Sequence, residues 1–247
     1  RLEGEPLIAA VLSALKDNRI DLYLQPVVEL PQRRVAFHEC LTRLRDTDHS
    51  VISPQQYLPV AEQAGVTETI DNLSLFRCVQ ALKRRRVEEA GYGFFCNLSV
   101  ATLEDEGFFE QFLEFLAANR SLAGRLVFEI EAVKMLDASP TVRAHLESLA
   151  RIGFRLSVDN IDRPDIDLFA LAARGIAFAK IDMAVIGAYN RPDMPLPVLS
   201  ERLRGKGLTI IAAKVETEEQ VLELVEEELR LAQGYLFGEP RPMRNDA

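Results

Sequence analysis

The sequence predicts a single closed barrel of parallel strands wrapped by helices, the (β/α)8 architecture. Three observations carry this. Strand-like apolar runs alternate with amphipathic helical stretches along the whole chain, the pattern of parallel strands covered by helices. About eight such units occur without a G-x-G-x-x-G turn, which favours a barrel over an open dinucleotide-binding sheet. The chain has 247 residues, 48% of them hydrophobic, enough for one large core and ordinary for one barrel.

The elements follow in order. Residues 5–17 read as a helix, and 21–30 (DLYLQPVVEL) as the first strand. The next strand lies around 35–41. Ser53 then caps a short helix, with Pro54 at its first position, residues 55–63 as its body and Gly65 as its stop. Apolar residues at helical spacing from Ile70 to Leu82 predict a helix over 67–89 that ends in KRRR. GFFCNL (93–98) is a strand and 107–119 a helix with an aromatic face. Strands are predicted at 125–130, 154–158, 176–181, 208–213 and 231–237. The helices between them are expected at 140–152, 166–173, 197–206 and 218–229.

Composition narrows the function. Lys and Arg total 29 against 38 Asp and Glu, a formal charge of -9. That balance speaks against a broad surface for duplex nucleic acid or anionic lipid, but leaves room for a small anion in a local pocket. Cys40, Cys78 and Cys96 share no metal-binding spacing, so they are expected to be buried thiols in a reducing, cytoplasmic setting. His38, His49 and His145 form no zinc pattern. No apolar run is long enough to cross a membrane. The first residue is Arg1 rather than Met. The 247 residues are therefore expected to be one domain of a longer protein, which other segments could anchor to a membrane.

Polar residues gather at strand ends. Glu39, Asn97, Glu129, Asp159 and Glu216 each end or follow an apolar run, and Lys180 and Asp182 flank another. In a (β/α)8 barrel these ends converge on one mouth, where active sites are built. Oxygen donors beside a lysine suit Mg2+ or Mn2+ next to a phosphate. Arg43 is placed to reach a phosphate or a base edge. Gln25 and Gln233 are amides within apolar strands, so each must find a hydrogen-bond partner, either a core network or a ligand.

With these residues set out, the chain resembles the EAL domain family. Glu39-Cys40-Leu41 stands where that family has its name-giving Glu-Ala-Leu, and Arg43 follows at the family's ligand-contacting arginine. LQPVVEL, ISPQQYLPVAEQAG, the NLS at Asn97, FEIEA, SVDNIDRP, FAKID, AAKVETEEQ and AQGYLFGEP resemble the family's remaining motifs, in order. The resemblance implies a barrel of the EAL type with one antiparallel strand. It also implies hydrolysis of cyclic di-GMP to the linear dinucleotide, with two divalent ions. It assigns metal ligation to Glu39, Asn97, Glu129, Asp159 and Asn160. Ligand contact falls to Gln25, Glu39, Leu41, Arg43, Asn97, Asp159, Lys180, Asp182, Gln233 and Pro240. Lys180 and Glu216 are the positions left for the chemistry. The helix expected at 67–89 resembles a dimerisation region of the family, which implies a homodimer.

Three departures bear on activity. Asn160 stands where the family has a second aspartate. Ala213, followed by Lys214, replaces a site glutamate and glycine. Ala132 replaces a glutamate that braces the metal-site loop, and the loop itself (DNIDRP) lacks the family's glycines. The expectation is a catalytically impaired receptor for cyclic di-GMP, with one ion site kept and the second lost. The alternatives are an active or weakly active phosphodiesterase, helped by Lys214 or Asp162, and a ligand-free module that regulates a signalling or effector protein.

Overall fold

The computed structural model describes residues 3–84 and 93–243. Eight strands close a barrel: β1 (Ile20–Glu29), β2 (Arg34–Arg45), β4 (Gly93–Asn97), β5 (Leu126–Glu131), β6 (Arg155–Ile161), β7 (Ile176–Asp182), β8 (Thr209–Ala213) and β9 (Leu231–Gln233). Two short strands add to its rim, β3 (Val51–Ile52) on β2 and β10 (Arg241–Pro242) on β1. From β2 through β9 each barrel strand runs parallel to the next. β1 alone among the eight is antiparallel to both its neighbours, β2 and β9. The barrel and its antiparallel strand are as the sequence led us to expect.

Alternation along each strand decides which side chains face the axis. Val27, Phe95, Val127, Phe178, Ile211 and Leu231 form one inner cluster. Phe37, Phe95 and Phe178 meet edge to face, with centroids 5.1–5.4 Å apart. The Arg155 guanidinium lies over Phe37 and Phe178 at 5.4 and 5.2 Å. The register puts polar residues one step further along the same inward faces: Glu39 after Phe37, Asn97 after Phe95, Glu129 after Val127 and Lys180 after Phe178. The outward faces pack on the helices in the largest cluster, which includes Cys40, Cys78 and Cys96, all buried and none in a disulfide.

Several boundaries move for physical reasons. β2 runs to Arg45 because it pairs with antiparallel β1 along nearly its whole length, from Ile20↔Leu44 to Glu29↔Arg34. β6 continues to Ile161, with an irregularity in its pairing to β7 between Val158 and Ile161. The last strand stops at Gln233, not at 237, because the backbone at Gly234 packs against Val215. A Cβ there would lie 2.0 Å from the Val215 carbonyl oxygen. The Pro54–Ala64 helix matches its expected signals: the Ser53 amide donates to Gln56 Oε1 at 3.1 Å, and Gly65 closes it at φ 64. The helix expected over 67–89 is described from Thr67 to Arg84, and its remainder lies outside the described residues. Among the described residues, no helix is long and apolar enough to cross a membrane.

Candidate functional site

The inward polar residues form one connected network at the C-terminal ends of the strands. The Lys180 ammonium, 1% exposed, donates to Glu39 Oε2 at 2.7 Å and to Glu129 Oε1 at 2.6 Å. It stands 4.8 Å above the Phe95 ring. Gln233 Nε2 donates to Glu39 Oε2 at 2.6 Å and to Gln25 Oε1 at 3.2 Å. Gln25 Nε2 in turn reaches the Gly238 carbonyl at 3.3 Å. Ser157 Oγ donates to Glu129 Oε2 at 2.9 Å. The two amides therefore belong to a core network that ends on a site carboxylate.

One oxygen each from Glu39, Glu129 and Asp159 lies within 4.8 Å of the others. Three hard oxygen donors so gathered suit Mg2+ or Mn2+, so these residues fit a divalent ion of the kind the sequence suggested. The ion would share its carboxylates with Lys180.

The carboxyls differ in acidity. Burial pushes the Glu129 carboxyl up to about 8, and the charges of Asp159 and Glu39 add to this against the pull of Lys180. Burial and the Glu39 charge also raise Asp159. Glu39 is equally enclosed, yet Lys180, Gln233 and Asn97 together outweigh burial and hold it below the usual carboxylate range. Lys180, flanked by these anions, is pushed above its ordinary value despite its burial. Ionising Glu129 therefore opposes folding, and this cost appears as pH rises from about 4.5 toward 8. A bound cation must displace the same proton. The affinity of the triad for Mn2+ is expected to rise about tenfold per pH unit between pH 6 and 8 and to level off above. Mn2+ titrations followed by electron paramagnetic resonance at pH 6, 7 and 8 check this, and a flat profile would contradict it.

Above the network lies a cleft of about 500 Å³. Gln25, Glu39, Asn97, Glu129, Asp159 and Asn160 line its base. Leu41, Arg43 and Pro240 line its walls, with Tyr57 and Tyr235. The Arg43 guanidinium sits 5.2 Å from the Tyr23 ring centroid and donates to the Thr42 carbonyl at 2.9 Å, which fixes its position. Asn160 is exposed, on left-handed backbone at φ 57. Lys180 and Gln233 lie beneath, bonded to Glu39.

The remaining predicted residues lie to one side, toward β8. Asp182 is the register partner of Ala213 and pairs with Lys214, Nζ to Oδ2 2.6 Å. This contact and the Ala184 amide hold its carboxyl below the usual range against the effect of burial. Glu216 is exposed, and its backbone amide donates to Gln220 Oε1. Ala132 is fully buried where the Ala132–Leu136 helix begins.

Sequence reasoning missed Asp71. It is buried on the Thr67–Arg84 helix and lines the cleft. It accepts from the Ser99 amide at 2.8 Å, Ser99 Oγ at 2.6 Å and Thr102 Oγ1 at 2.6 Å. Burial raises its carboxyl to about 6 against these bonds. The network fixes the turn after Asn97. The available signal was Thr67, Asp71 and Ser74 at helical spacing, a polar stripe on an otherwise apolar face.

Comparison with known proteins agrees with this geometry. The family model for the EAL domain matches residues 8–240. The cyclic di-GMP phosphodiesterase PdeF of Escherichia coli is 25% identical over 233 residues, 93% of this chain and 31% of that protein. The chain spans about a third of the length of the curated relatives it matches first. A solved structure, the PaMucR phosphodiesterase in complex with c-di-GMP, superposes with a TM-score of 0.79 at 26% identity, covering 96% of this chain and 97% of the other. The Xanthomonas citri FimX EAL domain, solved with c-diGMP, gives 0.82 at 18% identity over 98% and 96% of the two chains, a likeness of fold.

Proposed function

The chain belongs to the EAL domain family, and from that premise we propose that it is a receptor for cyclic di-GMP whose phosphodiesterase chemistry is impaired. The observation that carries this reading is the make-up of the mouth between β6 and β8. There Asn160 is a neutral side chain turned to solvent, Ala213 offers no donor, and Asp182 is committed to Lys214. From β2 through β5 to Asp159 on β6, the acidic triad and the cleft wall are in place.

An ion held by Glu39, Glu129, Asp159, Asn97 and Asn160 would supply positive charge for a phosphate. The chain's own groups do the rest. Arg43 is poised for a charge-assisted bond to the ligand. Leu41 and Pro240 offer apolar surface to a base. Lys180 holds Glu39 and Glu129 in place from beneath the cleft. Without carboxylates at 160 and 213 a second ion has no seat, and an attacking water is poorly activated. The loss of several kcal/mol of transition-state stabilisation is several factors of ten in rate. A homodimer, on family resemblance, and a signalling or effector partner complete the reading.

Calorimetry with cyclic di-GMP, with and without Mg2+, tests it alongside chromatography of the product. Binding with negligible conversion is expected. Rapid conversion to the linear dinucleotide favours the enzyme reading, and no heat at high micromolar ligand favours a ligand-free module. Arg43→Ala should weaken binding by about 1.5–3 kcal/mol, roughly 10- to 150-fold in Kd, if the guanidinium bonds the ligand. An unchanged Kd would remove Arg43 from recognition.

A further inference from the structure

The β6–β8 side of the mouth carries a cation of its own. Lys214 follows β8 directly, on left-handed backbone at φ 59. Its ammonium is 2.6 Å from Asp182 Oδ2, and the two side chains are 60% and 14% exposed. Asp182 also accepts the Ala184 amide at 2.9 Å, so the carboxylate that anchors Lys214 is itself pinned to the start of a helix. Lys214 feels the charges of Asp159 and Asp162 as well, and Asp159 feels Lys214 in return. An exposed Lys–Asp pair on an outer surface would contribute little. This pair stands at the rim of the barrel mouth, because Asp182 follows Phe178 and Lys180 along the inward side of β7 and is the register partner of Ala213 at the end of β8. The ammonium has three donors, and Asp182 is its one hydrogen-bond acceptor among the described residues. Its charge thus reaches Asp159, at the side of the mouth where Asn160 and Ala213 are neutral.

We propose that the Lys214 ammonium, anchored by Asp182, takes the place of a second divalent cation and binds a phosphate of the ligand directly. The proposal rests on the reading of the cleft as a cyclic-dinucleotide site, and its test separates the two.

Mn2+ uptake without nucleotide, counted by electron paramagnetic resonance, addresses the replacement alone. One Mn2+ per chain is expected for the unsubstituted protein and two for Lys214→Glu, which puts a carboxylate beside Asp182 on the Asp159 side of the mouth. Two ions in the unsubstituted protein, or one in Lys214→Glu, overturns the replacement. Calorimetry with cyclic di-GMP in EDTA addresses the phosphate. Lys214→Gln is expected to bind at least about tenfold more weakly than the unsubstituted protein in the same buffer, and Lys214→Arg within about threefold of it. Equal affinity of Lys214→Gln and the unsubstituted protein overturns the phosphate contact. No nucleotide binding by the unsubstituted protein, with or without Mg2+, defeats the receptor reading and the phosphate contact together, while the Mn2+ count still decides the replacement. All three variants keep a non-glycine residue at φ 59, so none changes the backbone demand at that position.

Discussion

The combined substitution Asn160→Asp, Ala213→Glu and Lys214→Gly is expected to raise hydrolysis of cyclic di-GMP by about a hundredfold, or ~2.7 kcal/mol of transition-state stabilisation. The first two changes return carboxylates to the ends of β6 and β8. The third withdraws a cation that would repel a divalent ion. The backbone accepts all three. Asp tolerates the left-handed conformation at 160 as Asn does, Ala213 is only half-buried, and glycine suits φ 59 at 214. Each single change should do little, since groups that build one site act as a unit. Recovery stays short of a fully active enzyme. Ala132 cannot brace the loop, and Tyr189 holds that loop through the carbonyls of Arg163 and Ile166 in a set conformation. Chromatography with excess Mg2+ or Mn2+, comparing single and triple variants, is the measurement. A triple variant that folds, binds nucleotide and two ions, yet forms no more product than the parent, would place the lesion in the loop instead.

The largest effect on stability is expected from Lys180→Met. It leaves Glu39 and Glu129 buried without their cation. Breaking a buried ion pair in this way costs about 3–5 kcal/mol. For a domain of this size that lowers the thermal midpoint by about 10 °C. The sign of its pH dependence follows. Without Lys180 the Glu129 carboxyl rises further and Glu39 loses the main group that holds it low against burial, so stability is present while they are protonated and is lost as pH rises through their folded values. The deficit relative to the parent should therefore shrink toward pH 5 and widen toward pH 8. Adding Glu129→Gln should recover part of it, because one of the two stranded charges is gone. Calorimetric melts across that range decide. A midpoint within 2 °C of the parent at pH 8 (on the order of 1 kcal/mol) would mean that Lys180 does not neutralise the pair.

The barrel was legible in the sequence because each buried strand is a short apolar run, and because the polar residue that ends it must stand at the mouth. Glu39, Glu129 and Lys180 were found on that ground alone, and Lys180 proves to bridge the two carboxylates. The extent of β2 was not legible, since its outer part, Thr42 to Arg45, mixes polar and apolar residues, and its pairing depends on a strand running the other way. Nor was the end of β9, which is set by the contact of Gly234 with Val215 rather than by propensity. Short helices such as Val100–Glu104 and Ala132–Leu136 span a turn or so and leave no periodic trace. Asp71 was hidden differently. An acid in an amphipathic helix reads as a solvated residue, and only tertiary packing brings Ser99 and Thr102 to it.

The hydrogen bonds from Gln233 to Gln25 and to Glu39 cross the seam where the last barrel strand meets the first. They join residues 208 and 194 positions apart. Lys180 bridges to Glu39 over 141. Contacts of such sequence separation form late, after the chain entropy of closing long loops has been overcome. Recognition is thereby tied to completed assembly. An intermediate in which β1 through β8 had formed, with β9 still undocked, would hold both Glu39 and Gln25 without the Gln233 amide. Such a chain would present a cleft of nearly the right shape with its floor unset, so ligand affinity reports on whether the two ends of the chain have met.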